Sequence, residues 1–386
     1  MKSKKKFVTI FTGAENFHLV KDVGQIPYFM FKTEGYDAEL VSYQNNIQYP
    51  FLNDEVKGLK LSFIPDHGRF FYFEIGVIKY LIASSKSIDV LNLFHFKKDN
   101  LFYLLLYKLI NAKGISIIKL DMDLFFFKKY NALFYSRYLL KNFILKAVTR
   151  WIFNLTDLIS IETEDAREYV LKVYPELEKK LICIPNGVDD LYLEKKIKLR
   201  SFNEKDNIII TVGRIGTTQK NTELFLDALR ITDLKGWKVF ILGPIDEDFK
   251  SHIDQYFQEY PHLKEQIIFT GNISDRKELF EWYNRAKIFC LTSRYEGFSI
   301  VFPEALYFGN YIISSSVSGA DYITAHGKFG TVIEGGAPEF SKALQNSINP
   351  GFLSPQRCEE IKDFSKNNFT WSGIIKKLSD NLKTGA

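Results

Sequence analysis

Short apolar runs, each followed by a stretch with helical spacing, recur along the whole chain, and this alternation constrains the fold more than any other feature. Phe7–Phe11, Ala38–Ser42, Leu59–Ile64, Ile88–Leu93, Gly114–Leu120, Asp157–Ile161 and Leu181–Ile184 read as one set of strands. Asn207–Gly213, Lys238–Gly243, Ile267–Gly271, Ile288–Thr292, Tyr311–Ser314 and Thr331–Ile333 read as a second. Runs this continuously apolar belong to strands covered on both faces, and strands alternating with helices such as Glu74–Ala83, Leu101–Ile110 and Thr163–Val173 predict parallel sheets. With 386 residues the chain is long enough for two such α/β domains. The charged stretch Glu194–Asp206 reads as the linker between them.

The segment Arg-Tyr-Glu-Gly-Phe-Ser-Ile-Val-Phe-Pro-Glu, Arg294 to Glu304, leaves the buried run Ile288–Thr292. Downstream, Phe302, Ala305, Leu306 and Gly309 recur at helical spacing. Glu296 is therefore expected on the turn after a strand and Glu304 about one turn into a helix. Gly297 and Phe298 lie between them, and Gly297 lets a ligand approach the backbone closely. The amides of Ser299, Ile300 and Val301 are the free donors of a helix start, which suits a phosphate. Ligands of open α/β sheets sit at the carboxyl ends of strands. The alternative on spacing alone is a strand–turn–helix with two solvated glutamates.

A second constellation follows Asn207–Gly213. Arg214 and Lys220 lie on a short Gly/Thr-rich loop. Two cations beside backbone that can approach closely are what a diphosphate needs. In the first half, Gly13 ends the first strand in a turn, with Gly24 further on, and Lys21 and Asp22 read as solvated loop. His95 stands just beyond the run Ile88–Leu93. Asp121 and Asp123 follow Gly114–Leu120, at the same sheet edge as His95; together with Lys119 they are candidates to meet an acceptor hydroxyl, or else caps of the next segment.

Glu296 and Glu304, eight positions apart, together with Pro303-Glu-Ala-Leu, resemble the E-x7-E motif of retaining glycosyltransferases of the GT-B fold, most similar to family 4. The resemblance implies two doubly wound, Rossmann-like parallel-sheet domains facing across a cleft. It implies a donor that is a nucleotide-diphosphate sugar, UDP- or GDP-linked, with Glu296 on the sugar hydroxyls and Glu304 on the ribose. Arg214 and Lys220 would neutralise the departing diphosphate, so no metal or other cofactor is required. Gly213, Gly243, Asn272 and Ile273 would surround the nucleotide, and His95 would contact the donor sugar. The family places a glycine pair near the donor phosphates where this chain has only Gly13. Pro185-Asn-Gly-Val-Asp189 is similar to the family's transition between domains, and Phe369-Thr-Trp371 to the start of its C-terminal helix. The expected division is 1–188 for an acceptor-binding domain, 189–365 for a donor-binding domain, and 366–386 returning to the first. The implied reaction joins a sugar to a hydroxyl of a glycan or lipid-linked acceptor, in bacterial surface polysaccharide or glycolipid synthesis. A nucleotide-sugar epimerase or hydrolase of the same fold, and a non-catalytic partner subunit, are the alternatives.

Composition narrows the partners. A formal charge of +5 is too small for a general nucleic-acid binder. Cys183, Cys290 and Cys358 are far apart and show neither metal spacing nor a disulfide framework, which fits a reducing cytoplasm. Residues 124–150 carry six basic and no acidic residues among many aromatics. That mixture suits the surface of an anionic membrane, at the inner face of the cell membrane; a packed interdomain helix is the rival.

Overall fold

The computed structural model describes residues 4–95, 97–121, 147, 150, 151 and 153–384. The basic aromatic stretch 124–150, apart from Ala147 and Arg150, lies outside the described residues, as does Asp123. The chain divides into two compact units. One comprises Met1–Asp189 with Trp371–Ala386, the other Asp190–Thr370.

The first unit is built on β1 (Lys6–Ile10), β2 (Asp37–Ser42), β3 (Lys60–Phe63), a short hairpin of β4 (Arg69–Phe70) and β5 (Phe73–Glu74), then β6 (Val90–Phe94), β7 (Ile115–Lys119), β8 (Leu158–Ile161) and β9 (Leu181–Cys183). Seven of these form one sheet in the order β3-β2-β1-β6-β7-β8-β9, with every pairing parallel. Residues on both faces of β6 are buried, as the unbroken apolar runs require of a sheet covered by helices. The core joins Val8, Leu91, Leu93, Ile118 and Ile159 to Leu104 and Tyr107 of the helix Lys98–Ile110.

The sequence reading missed the first helix of the first unit. Asp22–Lys32 is helical despite Gly24 and Pro27. It buries Val23, Ile26, Phe29 and Met30, and that packing outweighs the local propensity of Gly and Pro. Gly24 is needed for this, because a Cβ there would lie 2.2 Å from the Leu19 carbonyl oxygen. Asp22 is accordingly not on a solvated loop but in the first helical turn, 13% exposed at its side chain.

The second unit contains β10 (Ile208–Val212), β11 (Lys238–Leu242), β12 (Ile267–Gly271), β13 (Ile288–Leu291), β14 (Tyr311–Ser315) and β15 (Gly330–Ile333). They form a parallel sheet in the order β12-β11-β10-β13-β14-β15. The order reverses between β10 and β13, and crevices for ligands open at such switch points. The stretch expected to be a linker is more structured than its charge suggests. Asp190–Lys196 is a helix, and the buried Lys205 ammonium donates to the carbonyls of Tyr283, Asn284 and Ala286 at 3.3, 3.0 and 2.8 Å. Those carbonyls end the helix Arg276–Arg285, and burial there lowers the Lys205 pKa to about 7.

The C-terminal region is two helices, Pro355–Asn368 and Trp371–Thr384, separated at Phe369-Thr370. The last one groups with the first unit. Its Trp371 N–H donates to the Val188 carbonyl at 3.0 Å, and Lys383 pairs with Glu34 at 3.3 Å.

Candidate active site

At the switch point of the second sheet, the loop after β10 meets the loop after β13. Lys220 Nζ lies 2.6 Å from Glu296 Oε1, and Ser293 Oγ donates to the same oxygen at 2.6 Å. Gln219 Nε2 reaches Glu296 Oε2 at 3.5 Å and the Tyr295 carbonyl at 3.2 Å. Arg214 joins through Gln219, donating to its Oε1 at 2.8 Å. Backbone bonds tie the two loops together: Arg294 N–H donates to Gln219 O at 2.8 Å, and Thr292 Oγ1 to Lys220 O at 3.1 Å. Arg214, Lys220 and Glu296 thus belong to one network, although Arg214 and Glu296 are far apart in sequence. Gln219 and Ser293 were not singled out from the sequence. Their only signal was adjacency to Lys220 and to the end of the β13 run.

Of the two glycines at the same edge, Gly243 is sterically required. Gly213 N–H donates to Leu242 O, and Gly243 N–H to Gly271 O, both at 3.0 Å. Gly243 has φ of 139°, and a Cβ there would sit 1.8 Å from the Gly213 carbonyl oxygen. Gly213 itself lies against the Lys220 side chain, with a hypothetical Cβ 3.2 Å from Cε. Gly243→Ala should therefore lower the unfolding free energy by about 1–3 kcal/mol from backbone strain alone, with the collision adding to it. Chemical denaturation of the variant beside the parent measures this.

Glu304 sits in a different cluster. It is the fourth residue of the helix Val301–Tyr307, and it is buried. The Tyr283 hydroxyl donates to its Oε2 at 3.0 Å, and Arg276 lies 3.8 Å from Oε1. Burial, and then the Glu304 charge, push the Tyr283 hydroxyl well above its usual range, so it remains a donor at neutral pH. Phe298 and Ser299 are buried, Gly297 and Ile300 half-buried, and Phe298 packs on Phe369 with ring centroids 6.1 Å apart. Asn272 and Ile273 directly follow β12, Asn272 exposed and Ile273 half-buried.

The first unit has its own switch point, between β1 and β6. A cavity of about 190 Å³ opens there, lined by Thr12, Gly13, Glu74, His95, Lys97 and Asn100 among others. Gly13 leaves this wall open, since a Cβ there would meet only the Phe11 ring at 3.7 Å. His95 and Asp121 both take left-handed backbone, with φ of 67° and 43°. Their side chains meet, His95 Nδ1 to Asp121 Oδ2 at 3.5 Å, and the His95 N–H donates to Lys119 O at 2.7 Å. Burial lowers the His95 pKa against the opposing pull of Asp121, so the imidazole is neutral at pH 7.

Lys119 differs from its expected place facing an acceptor. Its side chain is completely buried, in ion pairs with Glu162 and, at 3.2 Å, with Asp22. Burial alone would discharge this lysine, but Glu162 and Asp22 outweigh it and hold it cationic. Burial also pushes Glu162 up to about 7. Glu162 was missed in the sequence because a single glutamate after an apolar run carries no sign of its partner.

The match to known proteins falls on the half that holds the Lys220–Glu296 pair. Residues 194–367 match the family described as Glycosyl transferases group 1, nearly the whole of the second unit. Amylovoran biosynthesis glycosyltransferase AmsD of Erwinia amylovora is 29% identical over 171 residues, 39% of this chain and 47% of its own length. An α-1,4-N-acetyl-D-galactosaminyltransferase of Campylobacter jejuni, named for a diNAcBac-PP-undecaprenol-linked substrate, is 30% identical over 148 residues, 38% of each chain. The chain spans about half the length of the relatives it matches. Over the full chain the likeness is one of fold. Anabaena HepE in complex with UDP superposes with a TM-score of 0.72 at 14% identity, covering 98% of this chain and 100% of that one. The lipopolysaccharide outer core galactosyltransferase WaaB, in its apo form, gives 0.70 at 16% identity, covering 99% and 100%. The two units are the two Rossmann-like domains of the GT-B fold.

Proposed function

We propose that this protein is a retaining glycosyltransferase of family 4 type, moving a sugar from a nucleotide-diphosphate sugar to a hydroxyl of a glycan or lipid-linked acceptor. The observation that carries the reading is the Lys220–Glu296 pair, held with Arg214 at the switch point of a group 1 domain. A relative's structure with UDP supports the nucleotide donor. The donor binds the second unit, with Glu296 on the sugar hydroxyls, Glu304 on the ribose, the segment 297–301 on the phosphates, and Gly213, Gly243, Asn272 and Ile273 around the nucleotide. The acceptor binds the first unit, at the cavity that holds His95. His95, neutral, hydrogen-bonds sugar hydroxyls, and Asp121 orients it. Lys119 acts from beneath, fixing the strand end that carries Asp121.

In the transfer the bond between the anomeric carbon and the β-phosphate oxygen breaks. A bond to the acceptor oxygen forms on the same face of the sugar. The acceptor's proton passes to the departing phosphate oxygen, and the products are a nucleoside diphosphate and a glycoside with retained configuration. Arg214 and Lys220 stabilise the negative charge that grows on the diphosphate, the electrostatic contribution that dominates many enzymes.

The test is a screen of UDP- and GDP-sugars that follows nucleotide release with and without a lipid-linked acceptor. Acceptor-dependent release is expected, with an axial product bond from an axial donor by NMR. Glu296→Gln should reduce transfer by about tenfold or more, because it keeps the shape of the side chain but removes the charge facing the sugar. Fast release that needs no acceptor would point to an epimerase or hydrolase. Failure to bind any nucleotide would leave the non-catalytic subunit.

A further inference from the structure

The hairpin beside the first unit's cavity carries three consecutive aromatic side chains into solvent. Arg69 pairs with Glu74 and Phe70 with Phe73 across β4 and β5, leaving Phe71 and Tyr72 as the turn. Phe70, Phe71 and Tyr72 are 63%, 79% and 68% exposed. Scattered exposed apolar residues are ordinary on protein surfaces, but a contiguous group marks a contact site. Phe71 also has φ of 54°, a conformation that bulky side chains rarely adopt.

The base of the hairpin is fixed. Phe73 lies against Phe102 with ring centroids 4.4 Å apart, and Arg69 binds the Glu74 carboxylate at 3.1 Å. The Glu74 N–H donates to the Tyr103 hydroxyl at 2.8 Å, and both residues line the cavity that holds His95. A single short element thus lines a polar cavity at its base and displays aromatic rings at its tip.

We propose that this tip anchors the protein to a lipid bilayer, with Phe70, Phe71 and Tyr72 entering the boundary between headgroups and acyl chains. The rings are consecutive residues at the end of β4 and in the turn, where a fluid bilayer takes them up without a matching groove. Two of the rings have no polar atom with which to recognise a sugar. Tyr72 adds a hydroxyl at the wet boundary, the level at which aromatic belts sit. The Arg69 side chain, 68% exposed at the base of the tip, stands where lipid phosphates would lie. Among the described residues no helix is long and apolar enough to cross a membrane, so a surface contact is the attachment these residues offer.

The anchor is independent of sugar transfer and is tested without a donor. The full chain is sedimented with phosphatidylcholine vesicles, with and without phosphatidylglycerol, at low and high salt. Binding that persists at high salt is expected, and the triple variant Phe70→Ser, Phe71→Ser, Tyr72→Ser should weaken partitioning about tenfold or more. Because these side chains are exposed, the variant should melt with the parent. An environment-sensitive dye on Phe71→Cys should shift its emission to the blue when vesicles are added. Absence of pelleting, equal pelleting of the triple variant, or an unshifted dye would overturn the anchor. So would loss of soluble oligosaccharide binding in the triple variant with pelleting unchanged, which would make the tip a sugar platform.

Discussion

Lys220→Ala should lower the turnover of sugar transfer by about two to three orders of magnitude, the range seen when one preorganised electrostatic group is removed from a transition state. The Lys220 ammonium faces the Glu296 carboxylate at 2.6 Å, and in the proposed transfer it would face the diphosphate as negative charge accumulates there. Because that charge is larger in the transition state than in the bound donor, the loss should appear in kcat more than in KM for the donor. The variant should stay folded. Glu296 retains Ser293 at 2.6 Å and Gln219 at 3.5 Å, and the loop remains tied by the Arg294–Gln219 backbone bond. Lys220→Arg should recover part of the rate and Lys220→Met none, which separates charge from bulk. Steady-state kinetics with a correctly folded Lys220→Ala at the parent's rate would remove Lys220 from the reaction and weaken the assignment of Glu296 with it.

What the sequence disclosed follows from the range of the interactions involved. The strands of both sheets were legible because burial on two faces demands unbroken apolar runs, and each such run is a local pattern. The turn carrying Glu296 and the helix carrying Glu304 were legible for the same reason. The helix Asp22–Lys32 was not, because Gly24 and Pro27 argue locally against it, and only close contact with Leu19 explains the glycine. Lys205 looked like one more charge in a linker, since the three carbonyls that hold it belong to a helix end far along the chain. The two glutamates of the spaced pair looked equivalent. In the structure Glu296 lies in a network of cations and amides, while Glu304 is held by Tyr283 from another helix, a difference that spacing cannot express.

Lys119→Met should lower the unfolding free energy by about 3–5 kcal/mol near neutral and alkaline pH, the range for breaking a buried ion pair by removing one partner. Glu162 would be left buried without its cation, and Asp22 would lose the same partner. The size of the effect should depend on pH. Burial pushes the Glu162 carboxyl from 4.5 up to about 7 even with Lys119 beside it, and removal of the ammonium raises it further. An acid whose pKa is raised on folding binds more protons folded than unfolded. Its favourable contribution is complete below its unfolded value and is lost as pH rises through the folded one. In acid the variant can therefore protonate Glu162 and recover much of the deficit, which then grows as pH rises past 7. Lys119 in the parent has the complementary dependence: its pKa is raised on folding, so its contribution is intact throughout this range and fades only above its folded value. Denaturant titrations of parent and variant at mildly acid and mildly alkaline pH measure the difference. The double variant Lys119→Met, Glu162→Gln removes both charges and should regain a large part of the stability at alkaline pH. A deficit of equal size at both pH values, or a double variant no better than the single one, would mean that Glu162 does not depend on Lys119 for its charge. The strand end beneath His95 and Asp121 would then owe its rigidity to packing alone.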